Sequence, residues 1–138
     1  MIISKRINIR TRGENDLIDI TPNIASIVKE SKLKDGMVNV FVMGSTAAIT
    51  TIEYEPGLIK DLPSILERIA PKDLSYEHQK MWHDNNGHSH VKASLIGPSL
   101  TIPFIDSILM LGTWQQIVLL ELDIRSRERT IIIQLIGE

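Results

Sequence analysis

The chain contains no cysteine in its 138 residues. Disulfide frameworks, thiolate zinc sites and cysteine nucleophiles are thereby excluded. Long hydrophobic runs are missing too. No window approaches the ~18 uninterrupted apolar residues of a membrane-spanning helix. Positive charge is not in excess: 15 Lys and Arg stand against 17 Asp and Glu, a net charge of −2. Nucleic-acid binders carry a basic excess or stripe, because phosphate contact drives their affinity. The only basic cluster is Arg125, Arg127 and Arg129, alternating with Ser126 and Glu128. It reads as a solvated strand edge. Neither nucleic acid nor membrane is therefore expected as a partner. The opening residues Met1-Ile2-Ile3-Ser4-Lys5-Arg6 lack the apolar core and cleavage site of a secretory signal. A cytoplasmic location is expected. No internal repeat or low-complexity tract is present.

What remains is an ordinary globular composition, 43% hydrophobic and 23% charged. The length suits one domain over 1–138, large enough to bury a core without covalent staples. Alternation over residues 3–10 predicts an opening strand. Thr21-Pro22 reads as a helix start, and Ile24, Ile27 and Val28 continue at helical spacing. The valine-rich run 37–43 and the β-branched run 46–54 predict two strands. Pro56-Gly57 breaks the second. Leu58, Leu62, Ile65, Leu66 and Ile69 share a helical face that Pro71 ends. Strand-like runs follow at 88–96, 99–103, 108–111, 115–123 and 130–135. This order predicts an α+β fold: mixed β-sheets forming a sandwich-like core, with two main helices packed on one outer face.

All four histidines, His78, His83, His88 and His90, fall within thirteen consecutive positions. If residues 86–94 are extended, one face carries Asn86, His88, His90, Lys92 and Ser94. Two imidazoles at i and i+2 of a strand can reach one metal ion, completed by Asp84 or another carboxylate. The same pair can serve as acid and base near neutral pH. Glu53 ends a strand whose same-side neighbours are small or apolar, so it needs either a partner or the solvent. Gly44-Ser45-Thr46, Gly97-Pro98-Ser99 and Gly112-Thr113 can present amides and hydroxyls to an anion, or can simply turn the chain. None is a Walker loop. Thr113 and Gln115 face together and could line a pocket, with Trp114 packed behind.

Gly44-Ser45-Thr46-Ala47-Ala48-Ile49-Thr50, Tyr76-Glu77-His78, His90-Val91-Lys92-Ala93-Ser94-Leu95-Ile96-Gly97-Pro98-Ser99-Leu100 and Leu111-Gly112-Thr113-Trp114-Gln115 together resemble the YjbQ family. The resemblance spans nearly the whole chain. It implies a compact α+β domain, a homotrimer, and a weak thiamine phosphate synthase activity that joins a pyrimidine pyrophosphate to a thiazole phosphate. It assigns catalytic roles to Glu53, His78, His90 and Lys92, and substrate or anion binding to Ser45, Thr46, Lys92, Ser94, Thr113 and Gln115. The residues themselves, rather than the resemblance, suggest a divalent metal, Mg²⁺ or Zn²⁺, on His88, His90, Asp84 and Glu53, with no organic cofactor, since His88 stands where other members carry proline or alanine. The expected ligand is a small phosphorylated molecule. Gly44 and Ser107-Ile108 depart from the residues many members carry. The alternative of another class is a non-catalytic trimer that binds a small anion or a metal.

Overall fold

A computed structural model describes all residues from Met1 to Glu138. Twelve elements follow in order. They are β1 (Ile2–Arg10), β2 (Asp16–Asp19), α1 (Thr21–Ser31), β3 (Gly36–Met43), β4 (Ala47–Ile52), α2 (Pro56–Ile69), α3 (Glu77–Trp82), α4 (Gly87–Ile96), β5 (Ser99–Ile105), β6 (Ile108–Leu109), β7 (Gln116–Glu121) and β8 (Glu128–Gly137). They build a five-stranded sheet, β1-β8-β3-β5-β6, and a three-stranded sheet, β2-β7-β4. Every pairing is antiparallel.

The expected α+β sandwich is the architecture observed. Period-two patterning drives it: Val38, Val40 and Val42 on β3 and Ile131, Ile133 and Leu135 on β8 all turn inward. They meet Ala47, Ile49, Ile117 and Leu119 from the small sheet, and Ile24 and Val28 of α1 join the same core. The small sheet is buried on its other face too. There Ala48, Val118 and Leu120 pack against Leu66 of α2 and Ala93 of α4. Strand β7 is thus covered on both sides, which explains its uninterrupted Ile117–Leu120 run.

Helix boundaries follow local chemistry. Helix α1 starts at Thr21 with proline second, and Lys32 in a left-handed conformation ends it. The Thr21 hydroxyl accepts from Ile117 N–H at 2.8 Å, tying α1 to β7. Helix α2 is capped by the Glu55 carboxylate, which accepts from Gly57 and Leu58 N–H, and Pro56 follows at the first turn.

Four helices are present where two were expected, and the strand expected over 88–96 is helix α4. The reason is an inverted helix. Positions 88 and 92, and 89 and 93, are i,i+4 pairs that share a face. That face is the buried one, yet it carries His88, Ser89 and Lys92 alongside Ala93, while Val91 and Leu95 are exposed. Polar residues inside and apolar ones outside erase the usual helical signature. Gly97, at φ +100°, ends α4.

Candidate functional site

Four segments converge on one open cleft of about 390 Å³. The β3–β4 turn brings Gly44, Ser45 and Thr46. The α3 region brings His78, Trp82, Asp84 and Asn86. Helix α4 adds His90, and the start of β8 adds Arg127 and Arg129. A smaller hollow beside His90 is floored by Ala93, Ser94 and Pro98. Another, past Arg127, reaches Asp123 and Arg125.

The wall of the cleft is a ladder of opposite charges. Glu121 is fully buried, and Arg129 nearly so. Arg129 Nε donates to Glu121 Oε1 at 2.9 Å, and its Nη2 donates to the other carboxylate oxygen and to Thr46 Oγ1. Glu121 also accepts from the Thr11 hydroxyl (2.8 Å) and from Asp123 N–H (3.1 Å). One rung along, Arg127 Nη2 lies 2.7 Å from Asp123 Oδ2. The Thr46 hydroxyl donates to Asp123 at 3.1 Å, joining the two rungs. Burial pushes the Asp123 carboxyl up. The Ile124 N–H and Arg127 outweigh it and hold the group below the usual carboxylate range.

Two imidazoles face the ladder. The His78 and His90 rings lie 4.4 Å apart between centroids, tilted by 53°. His78 Nε2 sits 3.1 Å from Asp84 Oδ1. The Asn86 amide nitrogen, turned toward them, donates to the same carboxylate oxygen at 2.8 Å and stands 3.0 Å from His78 Nε2. Asp84 and Asn86 therefore fix the His78 ring. Burial, reinforced by the neighbouring His78, lowers the His90 pKa, while Asp84 and Asp123 pull weakly the other way. His90 is thus biased toward the neutral form.

The turn supplies donors. Gly44 has φ +140°, and a Cβ there would stand 2.8 Å from Arg129 Nη1. Glycine is required both for the conformation and for the guanidinium's approach. The N–H groups of Gly44, Ser45 and Thr46 find no acceptor in the protein. Helix α4 begins next to Asn86 without a side-chain cap, and its positive end opens on the same cleft.

A family model for UPF0047, YjbQ-like proteins matches residues 5–138. The chain belongs to the YjbQ family. A UPF0047 protein of Methanothermobacter thermautotrophicus is 39% identical over 137 residues, 99% of this chain and 94% of that one. A relative from Methanocaldococcus jannaschii is 37% identical over 94% of this chain and 91% of its own. Among solved structures, a YbjQ-like protein of unknown function from Sulfolobus solfataricus superposes with a TM-score of 0.91 at 33% identity, covering both chains completely. A conserved hypothetical protein of Thermus thermophilus does so at 0.81 and 28%, over 96% of this chain and 99% of that one.

The YjbQ-like residues singled out in the sequence divide among three places. Ser45, Thr46, His78, Asp84 and His90 come together in the cleft, with Ser94 at its edge. His88 and Lys92 do not join them. In a helix they turn away from His90, and both side chains are 1% exposed. His88 Nε2 lies 3.1 Å from Glu14, and Lys92 Nζ lies 2.8 Å from Glu67. They pin α4 to the 13–15 loop and to α2. Glu53, Thr113 and Gln115 sit elsewhere again. Glu53 follows the far end of β4, and seven extended residues from Thr46 to Glu53 span about 23 Å. Gln115 donates to Thr51 and lines a separate apolar hollow with Leu100, Pro103 and Met110. Trp114 does not pack inward but is 72% exposed. The proposed metal set His88, His90, Asp84 and Glu53 is therefore not assembled, and no three His, Asp or Glu side chains are arranged to hold a metal ion.

Arg127 and Arg129 are not the solvated edge that their alternation suggests: Arg129 is buried and both are paired. A signal existed. Glu121 and Asp123 repeat the same i,i+2 spacing just upstream, so two acids and two bases on adjoining segments can form matched rungs.

Proposed function

We propose that the cleft holds the phosphate of a small phosphorylated molecule and that His90 moves a proton on it. The observation that carries this is one cleft lined both by Gly44, Ser45 and Thr46, whose amides have no acceptor in the protein, and by His90, an imidazole biased toward neutrality. Converging N–H groups make an anion-binding concavity, and they stabilise charge as it develops on a departing phosphate. A neutral imidazole accepts a proton near physiological pH. The His78–Asp84–Asn86 cluster orients the second ring beside it. The reaction of this kind that fits is thiamine phosphate synthase-type transfer, in which a thiazole phosphate displaces pyrophosphate from a pyrimidine pyrophosphate. The thiazole ring nitrogen would form the new bond to the pyrimidine methylene carbon as its C–O bond to pyrophosphate breaks; that nitrogen carries no proton, so the proton His90 handles would be one on the departing pyrophosphate, whose oxygens the 44–46 amides would receive.

A binding role without turnover is the rival reading. The specific observation in its favour is that Arg127 and Arg129 are already neutralised by Asp123 and Glu121. Little net positive charge is left to drive chemistry on a polyanion. Calorimetry with inorganic pyrophosphate, followed by a turnover assay with both precursors and Mg²⁺ or Zn²⁺, separates the two. Binding with product supports transfer, and binding without product supports the rival. No pyrophosphate binding by wild type, or unchanged binding and turnover in His90→Ala, refutes the site.

Self-association as a homotrimer is proposed alongside. The outer face of the five-stranded sheet supports it: Met37, Phe41 and Met43 on β3 and Ile136 on β8 are exposed there. Met37 pairs with Ile136, and Ile136 with Ile2, so the apolar row crosses three strands. Sedimentation equilibrium at micromolar concentration should give three times the chain mass, and a monomer mass refutes the proposal.

A further inference from the structure

Between Tyr76 and Gly87 the chain leaves the body of the fold and returns to where it left. The two ends touch: a Cβ on Gly87 would stand 2.6 Å from the Tyr76 Cβ, so glycine alone admits this contact. The Tyr76 hydroxyl donates to Pro71 O at 2.7 Å, and Asn86 is buried, so both ends are fixed. The residues between them are not. A surface excursion with closed ends, packed on its own side chains, is an Ω-loop. Residues 77–85 fit that description. Helix α3 buries none of its residues, and Met81 and Trp82 are 72% and 70% exposed. Lys80 pairs with Glu77, the N–H groups of His83 and Asn85 both donate to Gln79, and His78 meets Asp84 and Asn86. No hydrogen bond or ion pair joins 77–85 to a residue outside 76–86. Beyond the neck, the loop's one ring contact with the body lies in the cleft, where His78 stands against His90 of α4. Segments with few buried contacts and no outside hydrogen bonds move at the low end of a protein's stability range.

We propose that residues 77–85 are a lid, which swings as one piece on the Tyr76–Gly87 neck and is latched shut over the cleft by the contact of His78 with His90. Because its bonds are internal, the loop keeps its shape as it moves. Closed, it brings His78, Trp82 and Asp84 to the cleft. Open, it withdraws all three together and leaves His90 and the 44–46 turn, which belong to the body, facing solvent. A ligand that touches both walls binds the closed form better and shifts the population toward it. Ligand then enters and leaves by loop motion, and water is shut out while it is held. Closure on a ligand rests on the phosphate reading above, while the motion itself does not.

The chain has no cysteine, so Lys29→Cys on α1 and Lys80→Cys on α3 give two unique positions for spin labels. Both lysines are exposed. Double electron–electron resonance on the full labelled chain, diluted with unlabelled chain, reads the position of the loop against the core. The labelled parent should show one main distance and a minor second one. His90→Ala removes the latch from the body and leaves every bond within the loop. It should raise the ratio of second to main population about two- to tenfold, the size of one ring–ring contact. His90→Phe keeps a ring against His78 and should stay near the parent, which separates the latch from a general loss of fold. Saturating inorganic pyrophosphate should collapse the parent onto the main distance. Populations unchanged by His90→Ala, or His90→Phe opening the loop as far as His90→Ala does, overturn the latched lid. Pyrophosphate that binds by calorimetry without moving the populations overturns gating by ligand. If pyrophosphate does not bind at all, the phosphate reading fails, and the ligand-free distances still decide the lid.

Discussion

Replacing Arg129 by methionine tests the charge ladder on which the cleft is built. The change keeps the side-chain length and removes the guanidinium. Glu121 then stays fully buried, with only the Thr11 hydroxyl and the Asp123 N–H to offset its charge. The Thr46 hydroxyl loses the donor that holds it from the turn side. Removing one partner of a buried pair costs about 3–5 kcal/mol, because the survivor is left without compensation. For a chain of this length the unfolding entropy is about 0.3 kcal/mol/K, so the melting temperature should fall by about 10–17 °C. Urea denaturation followed by far-ultraviolet circular dichroism measures the loss directly. The partner experiment is Glu121→Leu with Arg129→Met. Replacing both charges with apolar groups should restore most of the stability while leaving the Gly44–Thr46 turn without its guanidinium brace. An Arg129→Met cost below about 1 kcal/mol, the size of an exposed pair, would show that Glu121 is not desolvated and would sink the reasoning.

Three further outcomes follow. His90 has its folded pKa lowered by burial, so the stability it confers is complete above its unfolded value near 6.5 and drains away as pH falls through and below that point. Denaturation from pH 8 to pH 5 should show this slope in wild type and a shallower one in His90→Asn; identical slopes refute the assignment. Lys92→Met should leave pyrophosphate binding unchanged and alter thermal stability, since its ammonium meets Glu67 and not the cleft, and loss of binding with unchanged melting would return Lys92 to the site. Glu53→Gln should alter neither turnover nor pyrophosphate affinity, and a tenfold effect on either, measured kinetically or by calorimetry, would bring the far end of β4 into the chemistry.

The strands were legible because each half-buried one writes its facing into alternate positions, as Val38-Asn39-Val40-Phe41-Val42 does. Helix α2 was legible for the matching reason, with Leu62 and Leu66 on its inner face. Helix α4 was not. A reader of one sequence takes buried as apolar, and α4 buries an imidazole, a hydroxyl and an ammonium whose partners Glu14 and Glu67 are 74 and 25 residues away. Pairing across such distances leaves no local trace. The consequence for the site was large. Strand periodicity put His88, His90 and Lys92 on one face, whereas helical periodicity separates His90 from the other two by roughly half a turn.

Part of the site is nonetheless legible whatever the local structure of 86–94. His78, Asp84 and His90 lie within thirteen consecutive positions, and a short chain span limits how far residues can separate whatever its conformation. Glu53, Thr113 and Gln115 had no such constraint, and they lie away from the cleft. Arg127 and Arg129 join it through the connection between the two sheets. Strand β7 of the small sheet ends at Glu121 and β8 of the large sheet begins at Glu128, and the short crossing between the sheets sets the two arginines against Glu121 and Asp123. Thr46, paired to both rungs, then anchors the turn that shares the cleft with the histidines. The cleft is held from beneath by a charge network that the ligand need not touch. Its rigidity and its chemistry are therefore separable: Arg129→Met with Glu121→Leu perturbs the first, and His90→Ala the second.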